Sequence, residues 1–226
     1  MKTLAHPMFS ESICLRDDAP NVLAAEAQTC FVTFYTDLYR QIILHEDGGF
    51  VLSQDGVGLP LYDHAAWIQD VLSFDFGRKA QTRVHKLLID RLRADAQLHA
   101  DFLQAGNACS SMLYRWLDSV PVALDCDDWS ESLLLKASDV RLHLPRESVA
   151  SHICDLLALQ SQLGLTDLLV FVQTRALLTP SEWDEICKCI ARLRISTLWL
   201  ECDSQAKSVH QENVRIFDSD LCEIVL

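Results

Sequence analysis

Residues 168–202, LLVFVQTRALLTPSEWDEICKCIARLRISTLWLEC, constrain the fold of this chain more than any other stretch, because they read as a complete β-α-β unit. The apolar run Leu168 to Val172 has the length and composition of a buried strand, and Thr197 to Leu200 has the same character. Between them Thr179 is placed to N-cap a helix with Pro180 at its first position and Glu182 three residues on, a capping-box pattern. Two parallel strands need such a crossover, so the stretch predicts an α/β sheet with buried inner strands.

The rest of the chain fits around that unit. Short extended pieces are expected at Met8 to Ser10, Ser12 to Leu15 and Asn21 to Ala25, then a helix over Gln28 to Ile43. The turns Asp47-Gly48-Gly49 and Asp55-Gly56-Val57-Gly58 predict a hairpin around Phe50 to Ser53 that leads to Leu59 to Tyr62. Helical periodicity then dominates, with helices expected at 64–73, 79–93, 95–119 and 129–137. Strand character returns at Val140 to Leu144, and a helix from Ser148 to Leu163 stops at Gly164. After a polar stretch, Ser204 to Asn213, two extended pieces, Val214 to Phe217 and Leu221 to Leu226, end the sequence. The expected organisation is an α/β head domain from 1–62 and 139–226, with a helical leg domain inserted at 63–138.

Strand and helix alternation raises the question of nucleotide binding. The sequence has only seven glycines and no GxxxxGK[ST] or GxGxxG run, so no loop is built to wrap a phosphate in the known ways. GxSxG and HExxH are also missing, and the eight histidines are dispersed. Nine scattered cysteines, an odd number, mostly in apolar segments, fit buried thiols in a reducing cytoplasm better than a disulfide framework. Cys187 and Cys189 point to different sides of one helix and make poor zinc ligands. No apolar run reaches the about 20 residues of a membrane span, and the N-terminus lacks the apolar core of a secretion signal.

The net charge of −13 excludes a surface that attracts phosphate everywhere, so nucleic-acid binding would require a segregated basic face. The best basic stripe follows Gly77: Lys79, Arg83 and Lys86 are spaced by four and three, on one helical face, with Arg78 beside them. Taken alone, such a stripe is more often a solvated helix face than a binding site. The densest acid is in WLDSVPVALDCDDWSE, where Asp118, Asp125, Asp127, Asp128 and Glu131 offer carboxylates within a short span. The spacing is not that of an EF-hand. Read as residues alone, Asp127 or Asp128 serves to N-cap the helix that follows.

Three segments, in order, resemble the CRISPR-associated Csn-two family of type II-A spacer acquisition. They are FVTFYTDLYRQ after SICLRDDAPNVLAAE, then WIQDVLSFDF at Trp67 to Phe76, and most clearly LLVFVQTRALLTPSEWDEI with STLWLE at Leu168 to Glu201. The resemblance runs nearly end to end and rests on collinear pattern. It implies a P-loop-ATPase-like α/β head without the nucleotide-binding loop, plus an inserted α-helical leg. It further implies a non-enzymatic homotetrameric ring, stabilised by calcium, which takes up double-stranded DNA ends without sequence preference and works with the spacer integrase and the effector nuclease in the cytoplasm. On that basis Asp118, Asp125, Asp127, Asp128 and Glu131 are candidate calcium ligands, although Val120, Pro121 and Ala123 stand where the family is commonly acidic. Arg78, Lys79, Arg83 and Lys86, with Lys136 and Arg141 at the leg-to-head junction, are the candidate DNA contacts. A protein-interaction adaptor on the same fold and a nucleotide hydrolase with an unrecognised site are the alternatives.

Overall fold

The computed structural model describes residues 1–122, 129–140, 144, 148–202 and 212–226. The chain divides into two compact units, one formed by Met1–Asp75 with Leu144–Leu226 and the other by Phe76–His143.

The larger unit holds two sheets. A small antiparallel sheet is made by β1 (Lys2–Ala5), β2 (Ile13–Leu15), β4 (Val51–Gln54) and β5 (Val57–Leu59), in the order β2-β1-β4-β5. The main sheet contains β3 (Asn21–Ala25), β6 (Ala65–Ile68), β7 (Leu168–Val172), β8 (Thr197–Glu201), β9 (Asn213–Phe217) and β10 (Glu223–Val225), ordered β10-β9-β3-β8-β7-β6. All but β10 run parallel. Of the five parallel strands the first in the chain therefore lies inside the sheet, between the fourth and the fifth.

Period-two alternation explains the unbroken apolar runs of β7 and β8. Leu168, Val170, Val172, Leu198 and Leu200 face a core shared with Leu4, Leu52, Phe34 and Leu38, the last two from α1 (Gln28–Tyr39). The alternate residues Phe171 and Trp199 stack with centroids 4.3 Å apart, and Trp183 meets Trp199 edge-on at 4.7 Å. Helices α6 (Val149–Leu163) and α7 (Pro180–Leu193) supply this second layer through buried Ile153, Leu156, Leu157, Ile186 and Ile190. The Thr179–Glu182 capping box is present, and Gly164 closes α6 with φ 55°. At the start of β3 the buried Asn21 amide donates to the carbonyls of Thr197 (2.8 Å) and Arg16 (2.9 Å) and accepts from Asn213 Nδ2 (2.8 Å) and the Arg16 N–H (2.8 Å).

Several expectations are corrected. Residues 64–73 do not form a helix: after a single turn, α2 (Leu61–His64), β6 pairs with β7 in the register Ala65↔Leu168 to Ile68↔Phe171. The edge of β7 needs a partner for its backbone groups, and that need overrides local helical preference. Residues 63–75 consequently belong to the larger unit. Met8 to Ser10 is a turn, and the strand near the N-terminus is Lys2–Ala5, which pairs with both β2 and β4. The helix expected through Ile43 changes at Arg40 into a π-helical turn, Arg40–Leu44, which ends at His45 with φ 58°. The expected strand Val140 to Leu144 falls mostly on residues outside those described.

The smaller unit contains α3 (Gly77–Ala94), α4 (Ala96–Leu117) and α5 (Glu131–Ala137). Its core is thin: Ala80 and Gly106 are the buried residues of these helices. A Cβ on Gly106 would collide with Cδ1 of Trp129, so the glycine exists to admit the indole. In an open helix, glycine to alanine gains about 1 kcal/mol. Here Gly106→Ala is expected to lower stability by about 1–2 kcal/mol through overpacking, and Trp129→Ala in the same chain should turn the alanine into a gain. Denaturant midpoints followed by helical circular dichroism check both.

Candidate functional site

Charge is partitioned along the chain. The nine basic and nine acidic residues of 76–143 cancel, so the whole net charge of −13 resides on the larger unit. Within the smaller unit α3 carries six basic residues and one acidic one. Its apolar side, with Ala80, Val84, Leu87, Leu88 and Leu92 buried or half-buried, turns inward. Lys79, Arg83 and Lys86 emerge on the opposite side, all exposed, with Arg78 exposed at the first turn. None of these four side chains forms an ion pair among the described residues. From Lys79 to Lys86 the stripe covers about 10 Å of helix. Asp90, one turn on, ends it.

The other candidates fare differently. Lys136 is exposed in the last turn of α5, and Arg141 lies outside the described residues. Asp118 stands exposed at the C-terminal end of α4. Both carboxylate oxygens of Glu131 accept from Arg93, at 2.8 and 3.1 Å, and His99 approaches to 3.9 Å. The Arg93 hydrogen bonds hold the Glu131 carboxyl below its ordinary range. Asp125, Asp127 and Asp128 lie outside the described residues. Among the described residues no group of three or more potential ligands could hold a metal, so Asp118 and Glu131 by themselves do not fit calcium.

Parallel sheets usually bind ligands beyond the C-terminal ends of their strands. There the β3-to-α1 turn is only Glu26 and Ala27, with the Glu26 N–H donating to the Phe217 carbonyl at 2.8 Å. A turn this short, bearing an exposed carboxylate at the helix start, opposes phosphate. Next to it the edge is filled by the chain's own polar side chains. Arg175 makes a bidentate pair with Glu212 at 3.0 and 3.1 Å, and Trp183 Nε1 donates to the same carboxylate at 2.7 Å. The Arg175 N–H also donates to Glu201, at the end of β8. Sequence reading missed this group because Arg175 and Glu212 are 37 positions apart and neither carries a local motif.

No protein family and no curated protein matches the chain. Among solved structures it is similar to the crystal structure of Stu0660 of Streptococcus thermophilus, with a TM-score of 0.60 and 12% identity over 96% of this chain and 75% of that one. At this identity the likeness is one of fold. No helix of the described residues is long and apolar enough to cross a membrane.

Burial pushes the Glu201 carboxyl up to about 7 from 4.5, against the N–H groups of Arg175 and Thr174 and the Arg175 charge. Between these values the folded chain binds the proton more tightly than the unfolded one, so this group's stabilisation is full below about 4.5 and lost as pH rises through about 7. Glu201→Gln keeps an acceptor for Arg175 without the charge. The variant is expected to lose less stability than wild type between about pH 5 and about pH 8, by on the order of 3 kcal/mol. Thermal unfolding at the two pH values measures the difference.

Proposed function

We propose that this chain binds double-stranded DNA ends without sequence preference, as a homotetrameric ring acting in CRISPR spacer acquisition beside the spacer integrase and the effector nuclease in the cytoplasm. The observation that carries the reading is the exposed cationic stripe Lys79, Arg83 and Lys86 with Arg78, without an ion pair among the described residues, on the electrically neutral unit of an acidic chain. Phosphate contacts of this kind need no base readout. Repeated four times around a ring, they would give a positive bore on a negative particle. The first parallel strand, inside the sheet and followed directly by a helix but without a phosphate loop, supports reading the head as ATPase-like in descent and not in chemistry. Calcium enters this reading through the sequence resemblance over residues 118–131 alone.

Linear duplex is expected to bind in a gel-shift assay, run with and without calcium, and closed circular duplex of the same sequence is not. Equal retention of the two forms, or of neither, rejects end entry. Charge reversal of Lys79, Arg83 and Lys86 to Glu should abolish retention. Neutralising each singly should reduce the slope of log affinity against log salt by about one. An adaptor that never touches DNA is the second reading, drawn from the exposed apolar side chains of α4. It predicts normal spacer uptake in the charge-reversed variant.

A further inference from the structure

On α4 the residues Leu98, Phe102, Ala105, Cys109, Met112 and Trp116 follow one another at steps of four, three, four, three and four. That is the spacing of a coiled-coil seam, which keeps its apolar side chains on one stripe of a helix. The seam is not buried in the chain's own core. Leu98 is 52% exposed, Met112 46% and Trp116 66%, while Ala105 and Cys109 are exposed and only Phe102 is half-buried. The face α4 does bury passes through Gly106, to one side of the seam. A tryptophan, a methionine and a leucine held in water along one stripe cost burial energy that nothing in the unit recovers. The unit's own core, Ala80 and Gly106, is too slight to compensate, and small units in this position commonly depend on association.

The charges beside the seam select the occupant. Asp101 precedes Phe102 and Arg115 precedes Trp116, so both occupy the same flanking position of the repeat, near opposite ends of the helix. If a second α4 lies antiparallel, the core layers become Leu98 against Trp116, Phe102 against Met112 and Ala105 against Cys109, each formed twice. Large residues then meet at the ends and small ones at the middle. In that same register Asp101 of each copy falls opposite Arg115 of the other, which pairs opposite charges at both ends. A parallel pair has no such match, because the residues opposite Asp101 and Arg115 would come from the other flank, where His99, Gly106 and Leu113 stand. Arg115 forms no ion pair among the described residues, and Asp101 accepts only from Gln97, at 2.8 Å.

We infer that α4 is a homodimerisation helix, pairing antiparallel with α4 of a second copy through Leu98, Phe102, Ala105, Cys109, Met112 and Trp116, with Asp101 and Arg115 setting the direction. The pairing is isologous, one patch meeting itself across a two-fold axis near the middle of the helix. It supplies one of the contacts a four-copy ring would need, yet it rests on α4 alone and not on the DNA reading.

Sedimentation velocity of the full chain across a concentration series, without DNA, tests it. Wild type is expected to self-associate, and Leu98→Glu with Trp116→Glu to weaken association more than hundredfold, while far-ultraviolet circular dichroism shows both proteins equally helical. Because the double variant could unfold the unit, surface charges give a second reading. Asp101→Arg alone and Arg115→Asp alone should each weaken association about tenfold, and the two together should restore it, since the exchange recreates the opposite pairs only if the helices run antiparallel. A wild-type chain that stays monomeric at its highest soluble concentration overturns the proposal. So does association indifferent to the seam variants, or a charge exchange that fails to rescue. A tetramer that retains linear DNA and ignores the seam variants would leave the proposed function standing while removing this interface, and a dimer that ignores DNA would do the reverse.

Discussion

The larger unit hangs on the register of its inner strand β3, and one side chain holds it. Asn21 sits at the start of β3, almost wholly buried, and all of its amide hydrogen-bonding groups are engaged. It reaches β8 through Thr197, β9 through Asn213, and the preceding turn through Arg16, so three parallel strands begin at one level. An apolar residue here would leave those backbone groups unpaired in the interior, at about 1–3 kcal/mol for each. A parallel sheet buried on both faces has little else to prevent slippage, since the residues on either side are apolar alike. The polar clamp decides the register, and the apolar layers then make that register worth keeping.

A second organising constraint is electrical. The sheet-bearing unit carries the entire charge excess, while the helical unit is neutral in total but polarised along one helix. Salt screens charges beyond about 8 Å at physiological ionic strength, so a polyanion at α3 responds to the charges nearest that helix and not to the net charge of the chain. The local field depends on what neutralises each cation, and here the two ends of α3 differ. Arg93 near its C-terminus is held by Glu131, whereas Lys79, Arg83 and Lys86 have no such partner among the described residues. The acidic segment thus acts in part within the unit, tying α5 to α3.

Much of this was legible where cause and effect lie close together in the chain. The Thr179 capping box, the Gly164 stop and the apolar runs of β7 and β8 depend on neighbours within a few residues, and each stands as read. The four-and-three spacing likewise placed Lys79, Arg83 and Lys86 on one exposed face. What was not legible depends on partners far along the chain. Ala65–Ile68 is a strand because β7, a hundred residues later, presents a free edge. Lys2–Ala5 is a strand because β4 and β2 flank it. The Arg93–Glu131 and Arg175–Glu212 pairs have separations of 38 and 37 positions, and no local pattern announces them.

The placement of the helical unit bears on how such a chain can change. It leaves the larger unit after Asp75 and returns at Leu144, and every strand pair of both sheets closes without it. To the sheets it is therefore a closed excursion whose length enters only through chain-closure entropy, which shifts by about 0.6 kcal/mol for each doubling. Turns of helix can be added or removed there while the hydrogen-bonded register around Asn21 stays fixed. A lineage built this way can adjust the reach of its helices to a new partner almost freely, while its sheets remain under strict selection.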